Sequence, residues 1–194
     1  MSDDVAARRR HGARRTITLL ALVCVAPVVA SYIAYYWVHP DTRVNYGELV
    51  AKPAPPISGV ARDGTPWRLD ALHGRWILLI VSTQACGTSC ERALYATRQA
   101  RTIQGREQER IVRVLLQPAS TAPPDDALLA QHPGLVTVRA DPAQWGRSLP
   151  GNGADITIYL VDPLGNIVLA YPADPDIKRL AKDLERLLKA SRIG

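Results

Sequence analysis

The sequence predicts an α/β fold, in which a central mixed sheet is flanked by helices and follows one N-terminal transmembrane helix. Two continuous apolar runs, Trp76–Ser82 and Ile111–Gln117, indicate strands covered on both faces. The segment between them has helical periodicity, which makes a right-handed βαβ unit. The membrane helix is predicted from residues 16–38, which carry no charge.

Composition favours one folded domain. The 194 residues are 47% hydrophobic and 22% charged, which suits a globular core and argues against disorder. Five arginines and two aspartates place +3 of the net charge of +6 in the first fifteen residues. Because the remainder has no long Lys/Arg stripe interleaved with aromatic residues, we expect no nucleic-acid partner.

The predicted membrane helix sets the expected location. Residues 16–38 can cross a hydrocarbon core of about 30 Å, and the arginines before them place the N-terminus in the cytoplasm. Aromatic residues at the distal end suit the headgroup layer. A cleaved signal peptide remains an alternative, because Val28-Val29-Ala30 is an acceptable cleavage site. Cys24 follows a poor lipobox, and we interpret it as a packing residue.

These features divide the chain into four parts. Residues 1–15 form a basic cytoplasmic segment, residues 16–38 the membrane helix, residues 39–56 a proline-rich stalk and residues 57–194 the extracytoplasmic domain. In a bacterium the protein would lie in the inner membrane, with this domain in the periplasm. A disulfide can persist in that compartment.

The remaining elements follow in order. A hairpin is expected around Asp63-Gly64, and a capping box formed by Thr88 and Glu91 would start the first helix of the domain at Ser89. A short helix and a possible short strand come next, at residues 125–130 and 135–139. A second hairpin, over residues 156–171, precedes a C-terminal helix with Asp174 as cap and Pro175 at its first position.

Cys86 and Cys90 stand directly after the first buried strand, in the order C-x-x-x-C. Cys90 is predicted in the first turn of a helix and Cys86 just before it, where the positive end of the helix dipole stabilises thiolates. Thiolates attack disulfides and bind soft metals. The pair can therefore form a disulfide or jointly hold copper(I), which prefers sulfur ligands.

A βαβ unit followed by a hairpin and a helix, with cysteines after the first central strand, is the arrangement of the thioredoxin fold. With the C-x-x-x-C spacing, the YLVDPLGN hairpin and the anchor, the chain resembles the Sco (SenC-like) family from about Lys52 to Ile193. The resemblance implies a factor for cytochrome c oxidase assembly. It would handle copper(I) or the redox state of a partner's cysteines through Cys86 and Cys90, with an oxidase subunit or another assembly factor as partner.

The chain departs from the family pattern at the third copper ligand. The resemblance places a histidine where this chain has Ala154, and neighbouring Asp155 offers a hard carboxylate that copper(I) binds poorly. We interpret all the histidines as ordinary surface residues; they are His11, His39, His73 and His132. Gln117 and the loop after it also replace a segment that is usually acidic in the family.

Three alternatives to the copper function stay open. The first is a thiol-disulfide oxidoreductase with a narrow partner range, in which Cys86 attacks and Cys90 resolves. Against a broad range, no proline precedes the hairpin strand at Asp155, where thioredoxin-like oxidoreductases carry a cis-proline. The second is a static disulfide that braces the loop. The third is a non-catalytic accessory protein that docks on a membrane complex.

Overall fold

The computed structural model describes residues 19–33, 36, 45–146, 148–149 and 154–191. These residues belong to two compact units, Met1–Val44 and Asn45–Gly194. In the first unit, residues 19–33 form a helix, α1. Within the described residues, no helix has both the length and the apolar character needed to cross a membrane. The predicted span 16–38 lies partly outside the described residues, and the basic segment 1–15, His11 and His39 lie wholly outside them.

The second unit is an α/β domain. Its strands are β1 (Glu48–Pro53), β2 (Ser58–Ala61), β3 (Pro66–Arg68), β4 (Trp76–Ser82), β5 (Ile111–Pro118), β6 (Leu135–Ala140), β7 (Ile156–Val161) and β8 (Asn166–Pro172). Its helices are α2 (Thr88–Ile103), α3 (Asp126–Ala130) and α4 (Ile177–Ala190). Short 3-10 segments cover Leu69–Leu72, Gly105–Arg110 and Pro142–Gln144.

The strands form one mixed sheet in the order β1-β8-β7-β4-β5-β6-β2-β3. β5 pairs in parallel with β4 and with β6, and every other pairing is antiparallel. Both predicted hairpins are present, as β2–β3 and β7–β8. The predicted βαβ unit is β4-α2-β5, and it carries the two cysteines at the start of its helix.

The central strand β4 separates two apolar cores, and all seven of its residues are buried. Leu78 and Ile80 face the core that α2 and α4 cover. Ile77 and Leu79 face the opposite core. Among the described residues, this second core includes Trp145 and contains no residue of an α-helix. The two long helices of the domain therefore lie on one face of the sheet. The continuous apolar strands had suggested helices on both faces.

Both helix starts differ from the prediction. The N-cap of α2 is Gly87, which has no side chain, so the helix begins at Thr88 without the predicted capping box. The N-cap of α4 is Asp176, whose Oδ1 accepts a hydrogen bond from Arg179 N at 2.9 Å. Asp174 and Pro175 precede this cap and lie outside the helix.

Part of the predicted stalk belongs to the sheet. Within residues 39–56, β1 pairs antiparallel with β8 as an edge strand. Its register shifts between Leu49 and Lys52, and Ala51 has a φ of 47°. This irregularity disrupts the alternation with a period of two that identifies a strand in a sequence, which is why the segment looked like a linker.

Candidate functional site

Cys86 and Cys90 form a disulfide, and their Cα atoms are 5.1 Å apart. Cys86 lies in the short loop after β4, and Cys90 is the third residue of α2. The structure thus brings together the two residues that the sequence predicted as the site, at the position predicted for them. It also shows them in the bonded, oxidised form.

The two sulfur-bearing residues differ in exposure. Cys90 is only 1% exposed and belongs to the core that α2 covers. Cys86 is partly exposed and contacts the margin of the same core. A partner molecule can therefore reach Cys86 from solvent, whereas Cys90 is accessible mainly through Cys86.

The N-terminus of α2 supplies a favourable field. The first hydrogen bond of the helix runs from Glu91 N to Gly87 O at 3.0 Å, so the amides of the first turn before Glu91 have no acceptor within the helix. These N–H groups and the helix dipole favour negative charge beside them. On reduction, the thiolate form of the cysteines would be stabilised at this position.

Hydrogen bonds fix the loop that carries Cys86. Gln84 Nε2 donates to Asp155 Oδ1 at 2.9 Å, and Thr83 N donates to Asp155 O at 2.9 Å. The backbone oxygen of Gln84 is held as well, because Ser82 Oγ and Gln117 Nε2 donate to it at 2.7 and 3.4 Å. Both of these donors belong to buried residues. The loop is therefore held between β5 and the residue that precedes β7, an arrangement that the sequence did not predict.

Only in the reduced state would Cys86 and Cys90 offer two sulfur donors for a metal. Ala154 is exposed at the position where the family resemblance places a histidine. Asp155 is already bonded to Gln84, and no group of three or more His, Cys, Asp or Glu residues in the described part of the chain could hold a metal ion. The donor set thus suits copper(I) through two sulfurs and does not suit a three-ligand site.

The histidines do not complete this set. His73 is exposed, and its ring lies against Gly165. His132 is only 5% exposed, which corrects its interpretation as a surface residue. Burial, followed by the charges of Arg113 and Arg98, lowers the pKa of His132 to about 4. The described residues contain no cis peptide bond, so none of them is the cis-proline that broad-range oxidoreductases carry.

Comparison with known proteins agrees with this geometry. The family model described as "Transmembrane-like, thioredoxin-like, C-terminal domain" matches residues 76–191. No curated protein sequence matches the chain.

Solved structures with the same fold include two Sco proteins and a thiol:disulfide interchange protein. Apo Sco1 from Thermus thermophilus has 22% identity and a TM-score of 0.60, with 76% of this chain and 99% of that chain covered. ScoI from Bradyrhizobium japonicum with copper bound has 19% identity and a TM-score of 0.53, with 70% and 99% covered. The interchange protein from Bacteroides sp. has 16% identity and a TM-score of 0.53, with 74% and 92% covered.

At these identities the solved structures establish the fold, and the family model covers most of the domain. The chain belongs to the transmembrane-like, thioredoxin-like C-terminal domain family, and its domain has the fold of the Sco proteins.

Proposed function

We propose that the chain is a Sco-like assembly factor for cytochrome c oxidase that changes the redox state of a partner's cysteines through Cys86 and Cys90. The observation that carries this proposal is the disulfide at the N-terminus of α2, in which one cysteine is reachable and the other is buried. We also propose that the chain is anchored in the bacterial inner membrane with the domain in the periplasm. The partner is an oxidase subunit or another assembly factor.

The exchange proceeds in two steps. In the reduced chain, the Cys86 thiolate attacks one sulfur of a partner disulfide, which forms a mixed disulfide and releases the other partner sulfur as a thiolate. The Cys90 thiolate then attacks Cys86 Sγ, which restores the Cys86–Cys90 disulfide and releases the second partner thiolate. Two electrons pass to the partner, and the same steps in reverse oxidise a partner dithiol. The difference in reduction potential sets the direction.

The structure supports these roles through accessibility and position. Cys86 is partly exposed and lies in the loop held by Gln84 and Asp155, which fixes its position at the surface. Cys90 follows on the first turn of α2, within reach of Cys86 and shielded from the partner. This division of roles makes Cys86 the attacking thiol and Cys90 the resolving thiol.

A second candidate function is the delivery of copper(I) as cargo. It is favoured by the closeness of two sulfur donors, since soft thiolates select copper(I). The Bradyrhizobium japonicum ScoI structure was solved with copper bound. In this chain, only Cys86 and Cys90 would hold the ion, and we expect binding to be weaker than at a site with a third donor.

Two measurements on the full chain separate these functions. All proteins carry Cys24→Ser, because Cys24 is an exposed free cysteine. For thiol exchange, reduced Cys90→Ser should accumulate a mixed disulfide with a disulfide-bonded model peptide, and Cys86→Ser should not. For copper delivery, the reduced chain should bind one equivalent of copper(I) against a competing chelator and lose it in Cys86→Ser.

The cellular test uses the Cys86→Ser/Cys90→Ser double variant. We expect reduced cytochrome c oxidase activity in membranes that contain it, at an unchanged level of the variant protein. Normal oxidase activity, together with no mixed disulfide and no copper binding, would favour the non-catalytic accessory function instead.

A further inference from the structure

A groove runs along α2 from Thr88 to Arg98, and we call it the α2 groove. Its walls are Thr88, Glu91, Tyr95 and Arg98 of α2, together with Leu128 of α3 and Ile177 of α4. Its volume is about 550 Å³, within the range of ligand-binding clefts. Neither cysteine lines the groove, but Thr88 lies two residues after Cys86, so one end of the groove adjoins the loop that carries Cys86.

The length of the groove matches a short piece of extended chain. Thr88, Glu91, Tyr95 and Arg98 recur at helical spacing and form one stripe on α2. At 1.5 Å per residue, the stripe is about 15 Å long. An extended polypeptide rises about 3.3 Å per residue, so roughly four or five residues would cover it.

The chemistry of the groove changes along this stripe. Near the cysteines, the exposed Glu91 carboxylate makes no ion pair or hydrogen bond with any other residue in the described part of the chain. In the middle, Tyr95 is 50% exposed, and Leu128 and Ile177 line the same groove. At the far end, the Arg98 guanidinium lies 5.4 Å from the centre of the Tyr95 ring.

The other charges at the groove are engaged. Arg92 pairs with Asp174 at 3.6 Å, which links α2 to the segment before α4. The Asp125 carboxylate caps α3 by accepting a hydrogen bond from Leu128 N. Arg98 is held by a hydrogen bond from Nη1 to Gln131 O, but that acceptor is neutral, so the side chain keeps its positive charge. Glu91 and Arg98 thus place one negative and one positive charge along the α2 stripe, on either side of Tyr95. Tyr and Arg are also the residue types enriched at binding hot spots.

We propose that the α2 groove binds the polypeptide segment that flanks the partner's reacting cysteine. This inference rests on the proposed thiol exchange and specifies its substrate. The segment is extended and four or five residues long, with a basic side chain near the cysteine opposite Glu91. An apolar side chain follows against Tyr95, and an acidic side chain lies opposite Arg98.

The test compares rates of mixed-disulfide formation. The protein is the full chain with Cys24→Ser and Cys90→Ser, reduced, so that Cys86 is its one thiol. The peptides are Cys-Lys-Leu-Leu-Glu and the reverse order Glu-Leu-Leu-Lys-Cys, because the partner can run in either direction. Each peptide has its cysteine blocked as a disulfide with 2-mercaptoethanol, and each has a charge-swapped counterpart. Bis(2-hydroxyethyl) disulfide is the small substrate that cannot occupy the groove.

We expect one of the two designed peptides to react about three- to tenfold faster than its charge-swapped counterpart at low ionic strength. Glu91→Lys should abolish or reverse that preference, and Tyr95→Ala should slow both peptides. Glu109→Lys makes the same charge change on an exposed residue outside the groove and should leave the preference unchanged. Because a charge change in the first turn of α2 also acts on the Cys86 thiolate, each peptide rate is divided by the rate of the same variant with the small disulfide.

Two results would overturn the inference. If the small disulfide reacts normally but designed and charge-swapped peptides react equally in every variant, the groove does not select the segment and the proposed function stands. If Cys86 reacts with neither the small disulfide nor any peptide, the proposed thiol exchange fails, and the inference fails with it.

Discussion

His132 is a buried histidine that lacks a hydrogen bond at Nδ1 among the described residues. It follows α3 in the wall of the α2 groove, where the charges of Arg113 and Arg98 act on it. Arg113 is itself buried on β5, and it donates to Leu94 O and Pro133 O at 3.4 and 3.2 Å. Protonation of His132 would thus add a third positive charge to a region already occupied by two guanidinium groups.

The stability of the domain should depend on pH through His132. Its pKa is about 4 in the folded chain and 6.5 in the reference state, so the unfolded chain binds the proton more tightly. The free energy of unfolding therefore falls as the pH falls from about 6.5 to about 4, by on the order of 2 kcal/mol from this group. Urea unfolding at pH 7.5 and pH 4.5 measures the loss.

The control for this prediction replaces the exposed histidine. His132→Leu should show a smaller loss of stability between the two pH values than the unchanged chain, whereas His73→Gln should show the same loss. Equal pH dependence in all three proteins would mean that His132 is not the group that titrates.

At the scale of elements, one buried carboxylate of α4 holds the segment immediately before β1. Asp183 Oδ2 accepts hydrogen bonds from Tyr46 N and Gly47 N at 2.9 and 3.0 Å and from Tyr171 Oη at 3.3 Å. Arg186 lies 3.8 Å from the other oxygen. The start of the domain is therefore fastened to its C-terminal helix, beside the β1–β8 pairing.

Removal of this carboxylate should destabilise the domain. Asp183→Ala leaves the amides of Tyr46 and Gly47 without an acceptor, and we expect a loss of about 2–4 kcal/mol in the free energy of unfolding. Hydrogen exchange should accelerate in residues 45–53. Glu185→Ala, on the exposed side of the same helix, should change stability by less than about 0.5 kcal/mol. Similar losses in both variants would contradict this role for Asp183.

The elements with strong local patterns were predictable from the sequence. Three such patterns are formed by residues close together in the chain: the apolar run of β4, the turn of the β7–β8 hairpin and the apolar stripe of α4. The caps at Gly87 and Asp176 were not predicted, because several adjacent residues can cap a helix and packing selects one. The edge strand β1 was missed because its bulge removes the alternating pattern.

The same distinction applies to the candidate site. The proximity of Cys86 and Cys90 follows from their spacing at a strand-helix junction, so the sequence was sufficient to predict it. The Gln84–Asp155 bond joins residues 71 positions apart, and no local pattern indicates it. The burial of His132 also depends on how the loop after α3 packs. The α2 groove was not predicted either, because its walls come from α2, α3 and the start of α4, which are far apart in the chain.

At the scale of the whole molecule, the disulfide contributes little to the fold. It closes a loop of only five residues, for which chain entropy gives about 2 kcal/mol of stabilisation. Two apolar cores on the faces of an eight-stranded sheet provide the main support. We therefore expect the domain to stay folded when Cys86 and Cys90 are reduced, as the proposed thiol exchange requires.

The most direct test is the redox equilibrium of this cysteine pair. The full chain with Cys24→Ser is equilibrated in glutathione buffers of graded potential, and the fractions of free thiol and folded protein are measured by alkylation and circular dichroism. We predict a reversible two-electron transition above about −300 mV, with the folded signal unchanged, whereas structural disulfides typically have potentials below that value. A disulfide that stays intact throughout that range, or a domain that unfolds on reduction, would contradict a redox function and identify the bond as a structural brace.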